Sequence, residues 1–331
     1  MEMELLTRLP PGKHRAWCDL LHRTGLEADE NFDQTVLLWQ EDTLAAAGSR
    51  WGNLLKCIAV DPAFRGSDLT ASVLTKLRQE AFRAGYRHLF LYTKPENRFL
   101  FSQLLFHPVA KTGDVLLMES VRGGIGSFLQ SLPRFSGDGP VGAAVMHCDP
   151  FTLGHRHLIE TAAAECGCVY VFVLSEDRGF FSAGDRLEMV RRGTADLPNV
   201  MVLPTGPYLI SAATFPTYFL KERDAGKAQC ELDIAVFTRY FAPNFGITRR
   251  YVGTEPLSPL TDQYNRALKE ALPGQGIEVR EIPRLCIGER PVSATAVREC
   301  IRQGIRPEEL VPDSTRNYLT ENALIAERTS L

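Results

Sequence analysis

A polar turn between two apolar segments constrains the fold of this chain more than any other feature. Residues 141–145 are continuously apolar, and residues 168–174 form a second apolar run, as is typical of buried parallel strands. Between them, residues 155–166 place apolar side chains on one face of a helix. The pattern predicts a strand, turn, helix and strand. The turn then lies where free helical N–H groups and the helix dipole favour a bound phosphate.

Five residues of this turn form a spaced pattern: Asp149, Pro150, Thr152, Gly154 and His155. They resemble the nucleotide-binding loop of the nucleotidylyltransferases, whose motif is [His/Thr]-x-Gly-His and which cleave ATP between the α and β phosphates. The resemblance implies that Asp149, Thr152, Gly154 and His155 bind ATP. A histidine in the first helical turn can donate hydrogen bonds to charge that develops on phosphate oxygens. The alternative is a helix capped by Thr152 that happens to contain a histidine.

Length and composition suit two ordinary domains. The chain has 331 residues, of which 44% are hydrophobic and 23% charged. A net charge of -3 gives no general reason to expect nucleic acid or an anionic membrane as a partner. No apolar run is long enough to span a bilayer, and the amino terminus is acidic where a signal peptide would be basic. We therefore expect a cytoplasmic protein with reduced cysteines.

The first part of the chain alternates strand-like and helix-like segments. A strand at residues 54–60 is followed by a turn at 61–66 and a helix at 69–85. This order resembles a Gcn5-related N-acetyltransferase (GNAT) domain, in which that turn binds the pyrophosphate of coenzyme A. Only Gly66 of the family's loop motif is retained, and Asp68 would place a carboxylate beside the phosphates. We expect a structural role ahead of catalysis, and leave open whether this domain binds coenzyme A, docks a partner or supports its neighbour.

A stretch rich in glycine, serine and proline marks the predicted domain boundary. We predict a GNAT-like α/β domain at residues 1–121 and a linker at residues 122–138. Residues 139–331 are predicted to form a nucleotidylyltransferase-like domain on a Rossmann-like, doubly wound parallel sheet.

Two further segments supply candidate binding residues. Residues 208–221 mix hydroxyl and aromatic side chains. We interpret this segment as a pocket for a small substrate, in which Ser211 contacts the substrate and Lys221 faces an anion. The alternative is a buried helix with one exposed lysine. Another predicted strand ends at Gly253, which allows close backbone approach at the ligand crevice of a doubly wound sheet. Glu255 follows and can accept hydrogen bonds from the ribose or amino group of adenosine.

The last signal is a helix start near the end of the chain. Ser293 and Thr295 stand there, with Arg298 one turn further on, which predicts an anion site. They resemble the superfamily's Ile-Ser-Ser-Thr-x-x-Arg signature, which holds the β and γ phosphates, and the resemblance implies that all three residues bind ATP. The alternative is an ordinary capped helix with a solvated arginine.

The chain as a whole resembles the citrate lyase ligase family. The segments that carry the resemblance are residues 148–155, 211–221, 251–261 and 292–298. The resemblance implies an acid–thiol ligase that uses ATP and Mg²⁺. It would join acetate, through acetyl-AMP, to the prosthetic-group thiol of the citrate lyase acyl carrier protein. His155, Lys221 and Arg298 would be the catalytic residues, and no side chain is predicted as a metal ligand.

Two other functions stay open at this point. One is a nucleotidylyltransferase that acts on a phosphopantetheine or mononucleotide substrate and makes a stable adenylylated compound. The other is a non-catalytic protein that binds ATP as a sensor. Acetate-dependent pyrophosphate exchange would distinguish the ligase from both.

Overall fold

The chain forms two compact α/β units. The computed structural model describes residues 1–176, 179–210, 215–220, 225–255, 259–288 and 290–322. The first unit comprises Met1–Gly124 and Phe215–Ala235, and the second comprises Ile125–Thr214 and Val236–Leu331. In the described part of the chain, no helix is long and apolar enough to cross a membrane.

Helices and strands are numbered in chain order. The helices in the described ranges are α1 (Pro11–Arg23), α2 (Leu69–Arg83), α3 (Arg98–Gln103), α4 (Gly124–Ser131), α5 (Leu153–Glu165), α6 (Ala183–Gly193), α7 (Ala225–Val236), α8 (Ala242–Phe245), α9 (Pro259–Ala271), α10 (Ala294–Arg302) and α11 (Asp313–Glu321). The strands are β1 (Glu2–Leu6), β2 (Gln34–Gln40), β3 (Thr43–Trp51), β4 (Leu54–Val60), β5 (Phe90–Thr93), β6 (His107–Lys111), β7 (Leu116–Glu119), β8 (Val141–Met146), β9 (Cys168–Val173), β10 (Val200–Pro204), β11 (Arg249–Gly253), β12 (Glu278–Ile282), β13 (Cys286–Ile287) and β14 (Arg290–Pro291). A π-helical stretch, Phe237–Phe241, joins α7 to α8.

The first unit is built on a seven-stranded sheet in the order β1-β2-β3-β4-β5-β7-β6. Neighbouring strands pair antiparallel except β4 and β5, which pair parallel. That parallel register covers Leu54 opposite Phe90 and Leu55 opposite Leu91. The buried apolar face of α2 belongs to the core of this unit. The predicted GNAT-like order of strand, turn, long helix and strand is confirmed.

The second unit is built on a five-stranded parallel sheet in the order β10-β9-β8-β11-β12. The order reverses at β8, because the chain first adds β9 and β10 on one side and then β11 and β12 on the other. Every residue of β9 is buried, as expected for an inner strand covered on both faces. The prediction of a doubly wound parallel sheet is confirmed. Ligands bind such sheets at the carboxyl ends of the strands beside the reversal.

The chain returns to the first unit after it has begun the second. Phe215–Ala235 belongs to the first unit. There the Tyr218 hydroxyl donates to the backbone oxygen of Tyr92 at 2.8 Å. Phe215 packs edge-on against the Tyr92 ring, with centroids 5.8 Å apart. The sequence prediction placed this segment in the domain at residues 139–331, and composition gives no sign of the return.

The predicted linker at residues 122–138 contains the helix α4. Ile125 and Leu129 of this helix are buried, and the division between the units falls between its first two residues.

Candidate active site

Thr152 caps the amino end of α5 and forms two reciprocal hydrogen bonds with His155. The Thr152 backbone is extended, and its hydroxyl accepts from the His155 N–H at 3.3 Å. In return, the Thr152 N–H donates to His155 Nδ1 at 3.1 Å. In the usual capping box a Glu or Gln takes the place that His155 occupies here. The helix cap that was the alternative explanation of this motif therefore exists, and the histidine is part of it.

The same hydrogen bonds set the protonation of His155. Because Nδ1 accepts an N–H, the neutral ring carries its proton on Nε2. Burial, together with the nearby Arg284 and His147, lowers the pKa of His155 from its ordinary 6.5 to about 4. His155 is thus neutral near physiological pH, and its Nε2–H is available as a hydrogen-bond donor.

This depressed pKa predicts an acid-sensitive fold. In the unfolded chain His155 takes up a proton below its ordinary pKa of 6.5, whereas in the folded chain it does so only near a pKa of about 4. Between those values the unfolded state binds more protons, so stability falls as the pH falls, by up to about 1.4 kcal/mol per pH unit. Urea unfolding of His155→Gln, which keeps a capping acceptor without a titrating ring, should show a smaller pH slope. An unchanged slope in His155→Gln would contradict the assignment.

Asp149 supports the turn through both of its carboxylate oxygens. Oδ2 accepts from the N–H of Phe180 at 2.7 Å, and Oδ1 accepts from the N–H of Phe181 at 2.8 Å. Asp149 is 4% exposed. A Cβ atom at Gly179 would lie 2.8 Å from Oδ2, so this carboxylate packs directly against the loop after β9. The structure gives Asp149 a role in shaping the turn, and its predicted contact with ATP stays a prediction.

Ser293 caps the amino end of α10, as Thr152 caps that of α5. Its hydroxyl accepts from the N–H of Ala296 at 3.1 Å. One turn on, Arg298 Nη2 donates to the Thr295 hydroxyl at 2.9 Å. The predicted helix start with its arginine is therefore in place.

The two helix starts lie against each other, although the residues that join them are far apart in sequence. Arg298 Nη1 donates to the backbone oxygen of Asp149, 149 residues away. A Cβ atom at Gly154 would lie 3.3 Å from the backbone oxygen of Val292. A larger residue at position 154 would therefore push α5 and α10 apart. The two motifs predicted to bind phosphates meet at one place. At the start of α5 the N–H groups of Thr152, Leu153 and His155 already have protein acceptors. Among the hydrogen bonds of the described residues, the N–H groups that remain for a ligand are those of Gly154, Ala294 and Thr295.

A cavity of about 350 Å³ lies at these helix starts and at the carboxyl ends of β8 and β11. Its lining includes the following predicted site residues: Thr152, Gly154, His155, Gly253, Glu255 and Ser293. Asp149, Thr295 and Arg298 are not among the described lining residues. Arg298 joins the other two by hydrogen bonds, and Thr295 follows Ala294, which lines the cavity. Ser211 and Lys221, the predicted substrate residues, lie outside the described residues.

Arg284 is a cation of the cavity that the sequence analysis missed. Its Nη1 lies 2.5 Å from Glu255 Oε1, and its N–H donates to the Thr254 hydroxyl at 3.0 Å. Glu255 is therefore paired with Arg284, whereas the sequence analysis predicted that it accepts hydrogen bonds from adenosine. Its position in the chain was the available signal. Arg284 lies two residues after β12, and the carboxyl ends of parallel strands meet at one edge of the sheet.

Arg186 donates hydrogen bonds to the loops next to the turn, and the sequence analysis did not identify it. It is fully buried. Nη1 donates to the backbone oxygens of His147 and Leu174, both at 2.9 Å, and Nε donates to that of Phe181 at 3.3 Å. Nη2 donates to the backbone oxygen of Glu176. One side chain therefore joins the segments after β8 and β9 to the start of α6.

A second cavity, of about 610 Å³, lies in the first unit. Gly66 and Asp68 line it just before α2, and Tyr218 lines it from the returning segment. Asp68 stands at the helix start, where its charge disfavours a phosphate. The expectation that this unit has a structural role ahead of catalysis stays a prediction.

Comparison with known proteins gives a consistent result. The profile of the citrate lyase ligase C-terminal domain matches residues 141–319. The chain is 40% identical to [citrate [pro-3S]-lyase] ligase of Klebsiella pneumoniae over 318 residues, which covers 93% of this chain and 92% of that one. It is 35% identical to the protein of the same name from Escherichia coli K12 over 331 residues, or 96% of this chain and 94% of that one.

Solved structures resemble the chain only remotely and in parts. Escherichia coli ElaA is 16% identical, with a TM-score of 0.33, over 36% of this chain and 99% of its own. A bifunctional NMN adenylyltransferase/ADP ribose pyrophosphatase from Francisella tularensis is 19% identical, with a TM-score of 0.38, over 58% of this chain and 54% of its own. The full-length relatives, which carry the name of an enzyme, are the stronger finding. This chain belongs to the citrate lyase ligase family of enzymes.

Proposed function

We propose that this protein activates citrate lyase by acetylating the prosthetic-group thiol of its acyl carrier protein, with acetate and ATP as the other substrates. Membership of the family supports the choice of reaction. The observation that carries the proposal is the meeting of two helix starts, those of α5 and α10, at one cavity. Two such starts suit a triphosphate better than a single phosphate, because donors come from both helices: the Gly154 N–H from α5, and the Ala294 and Thr295 N–H groups from α10.

In the first step an oxygen of acetate attacks the α phosphorus of ATP. A bond forms between that oxygen and phosphorus, and the bond to the oxygen that bridges the α and β phosphates breaks. Pyrophosphate leaves with the electron pair, and acetyl-AMP remains. Acetate is already an anion near neutral pH, so no base is required. The protein then contributes position and electrostatic stabilisation.

The residues around the cavity have complementary tasks in this step. His155, neutral and with its proton on Nε2, donates to a phosphate oxygen on which charge increases. The start of α10, with Ser293 and Thr295, holds the leaving phosphates, and Arg298 adds a positive charge there. Lys221 is proposed to share that task on the resemblance alone.

Magnesium is proposed to enter with ATP. The carboxylate among the described lining residues is that of Glu255, and it is paired with Arg284. These residues do not fit a cage for a divalent cation. Mg²⁺ commonly keeps several waters and binds through substrate phosphates, and that arrangement suits this cavity.

In the second step the prosthetic-group thiol attacks the acetyl carbon of acetyl-AMP. A sulfur–carbon bond forms, the bond from the acetyl carbon to the AMP oxygen breaks, and AMP leaves. The thiol proton is released. The product is the acetylated carrier protein.

The direct test is exchange of labelled pyrophosphate into ATP, measured with and without acetate. The proposal predicts exchange only when acetate is present. Acetyl-AMP can form only then, and its reaction with labelled pyrophosphate returns the label to ATP. Exchange without acetate would indicate an adenylyl transfer to another acceptor, and binding of ATP without any exchange would indicate a sensor. Addition of the citrate lyase acyl carrier protein should then yield an acetylated thiol and free AMP.

A further inference from the structure

One buried cation at the cavity has open hydrogen-bond donors. Arg250 lies on β11, is 2% exposed, and belongs to the lining of the cavity. Its Nε and Nη1 atoms are buried and have no hydrogen-bond partner among the described residues. Its guanidinium lies 4.8 Å from the centroid of the Phe237 ring. That contact favours a cation but supplies no acceptor in the plane of the guanidinium.

Two other arginines of this unit, unlike Arg250, have acceptors for their side-chain donors. Arg186 is equally buried, yet its donors reach backbone oxygens. Arg284 lines the same cavity and pairs with Glu255. An unsatisfied buried donor is destabilising, and an unpaired buried charge is more so. Such a group in a native structure calls for a partner from outside, and an anionic ligand supplies both the charge and the acceptors.

Arg250 lies on the face of the sheet opposite to the phosphate motif of α5. The next residue, Tyr251, points to the α5 face, since its hydroxyl donates to Glu165 at 2.8 Å. Successive side chains of a strand point to opposite faces, so Arg250 points away from α5, as its contact with Phe237 also shows. Thr152 and His155 belong to the α5 side. The open donors of Arg250 are therefore separate from the donors proposed to hold the phosphates.

We propose that Arg250 binds the carboxylate of the acid substrate, a small monocarboxylate, and positions it for attack on the α phosphorus; this inference rests on the proposed function. A guanidinium matches a carboxylate with two parallel hydrogen bonds. Each carboxylate oxygen keeps a further lone pair, so an oxygen held in this way can still attack. Val145 and Val252 line the same cavity and suit the short alkyl group of such an acid.

The test compares Arg250→Met with the wild type in acetate-dependent pyrophosphate exchange, at varied acetate and at varied ATP. Loss of two charge-assisted hydrogen bonds should raise the KM for acetate by roughly 10- to 100-fold. The KM for ATP should stay within about threefold, because the phosphates have other partners. Arg249→Met is the matched control, since Arg249 is the preceding residue and pairs with Glu278 on the surface. Its KM for acetate should equal that of the wild type.

A second measurement separates binding from turnover. Acetate, added with a non-cleavable ATP analogue, should raise the melting temperature of the wild type and of Arg249→Met, and leave that of Arg250→Met unchanged. Arg250→Gln serves the same comparison if the methionine variant does not fold. An unchanged KM for acetate in the Arg250 variants, or an equal rise in both KM values, would overturn the assignment. If the wild type itself exchanges pyrophosphate without acetate, the proposed function fails, and with it the ground for this test.

Discussion

Replacement of His155 by alanine is expected to lower the turnover of acetate-dependent pyrophosphate exchange by about 10²- to 10³-fold. The Nε2–H donor should bond more strongly as charge develops on the phosphate oxygens than it does in bound ATP. The affinity for ATP is therefore expected to change by no more than about threefold, because the remaining donors at both helix starts still hold the phosphates. Initial rates at varied ATP, together with equilibrium binding of ATP, measure the two quantities separately.

The double role of His155 requires a second variant. Alanine also removes the acceptor for the Thr152 N–H and so weakens the cap of α5, which is worth about 1 kcal/mol. Glutamine at this position restores a capping box but offers no imidazole. His155→Gln should therefore be as slow as the alanine variant while its stability stays near that of the wild type. Glu160→Ala, at an exposed position of the same helix, is the control for general effects. Near-normal turnover in His155→Gln would show that the residue acts only as a cap.

Replacement of Arg186 by methionine is expected to lower the free energy of unfolding by roughly 3–5 kcal/mol. Its donors satisfy the backbone oxygens of four residues, and methionine leaves those oxygens without their partners: His147, Leu174, Glu176 and Phe181. Urea unfolding measures the loss. Arg191→Met, an exposed arginine of the same helix, should change stability by no more than about 0.5 kcal/mol. Equal losses in the two variants would show that the buried hydrogen bonds of Arg186 add nothing to stability.

The parts of the site that were predictable from the sequence are those encoded locally. The turn before α5 and the start of α10 each depend on neighbouring residues, so their motifs carry both the helix cap and the position of the side chain. The doubly wound parallel sheet of the second unit followed from apolar runs that alternate with helical segments. The positions of Thr152, His155 and Ser293 at two helix starts could therefore be inferred before any geometry was known.

The parts that were not predictable depend on contacts between distant segments. Arg186 has the sequence context of an ordinary helical arginine, and only the assembled loops provide its acceptors. Arg250 lies on β11 and Arg284 lies two residues after β12, and the sequences of these strands do not indicate which groups the two side chains face. The capping role of His155 was missed for another reason, since a histidine is not the usual partner in that motif.

The return of Phe215–Ala235 to the first unit has a consequence for synthesis and for truncation. Domains generally fold as they leave the ribosome, the amino-terminal one first. Here the earlier unit lacks the partner of the Tyr92 backbone oxygen until Tyr218 has emerged, after most of the second sheet has been made. A fragment that stops at residue 124 therefore lacks part of the first unit, which is complete only once Phe215–Ala235 has been synthesised.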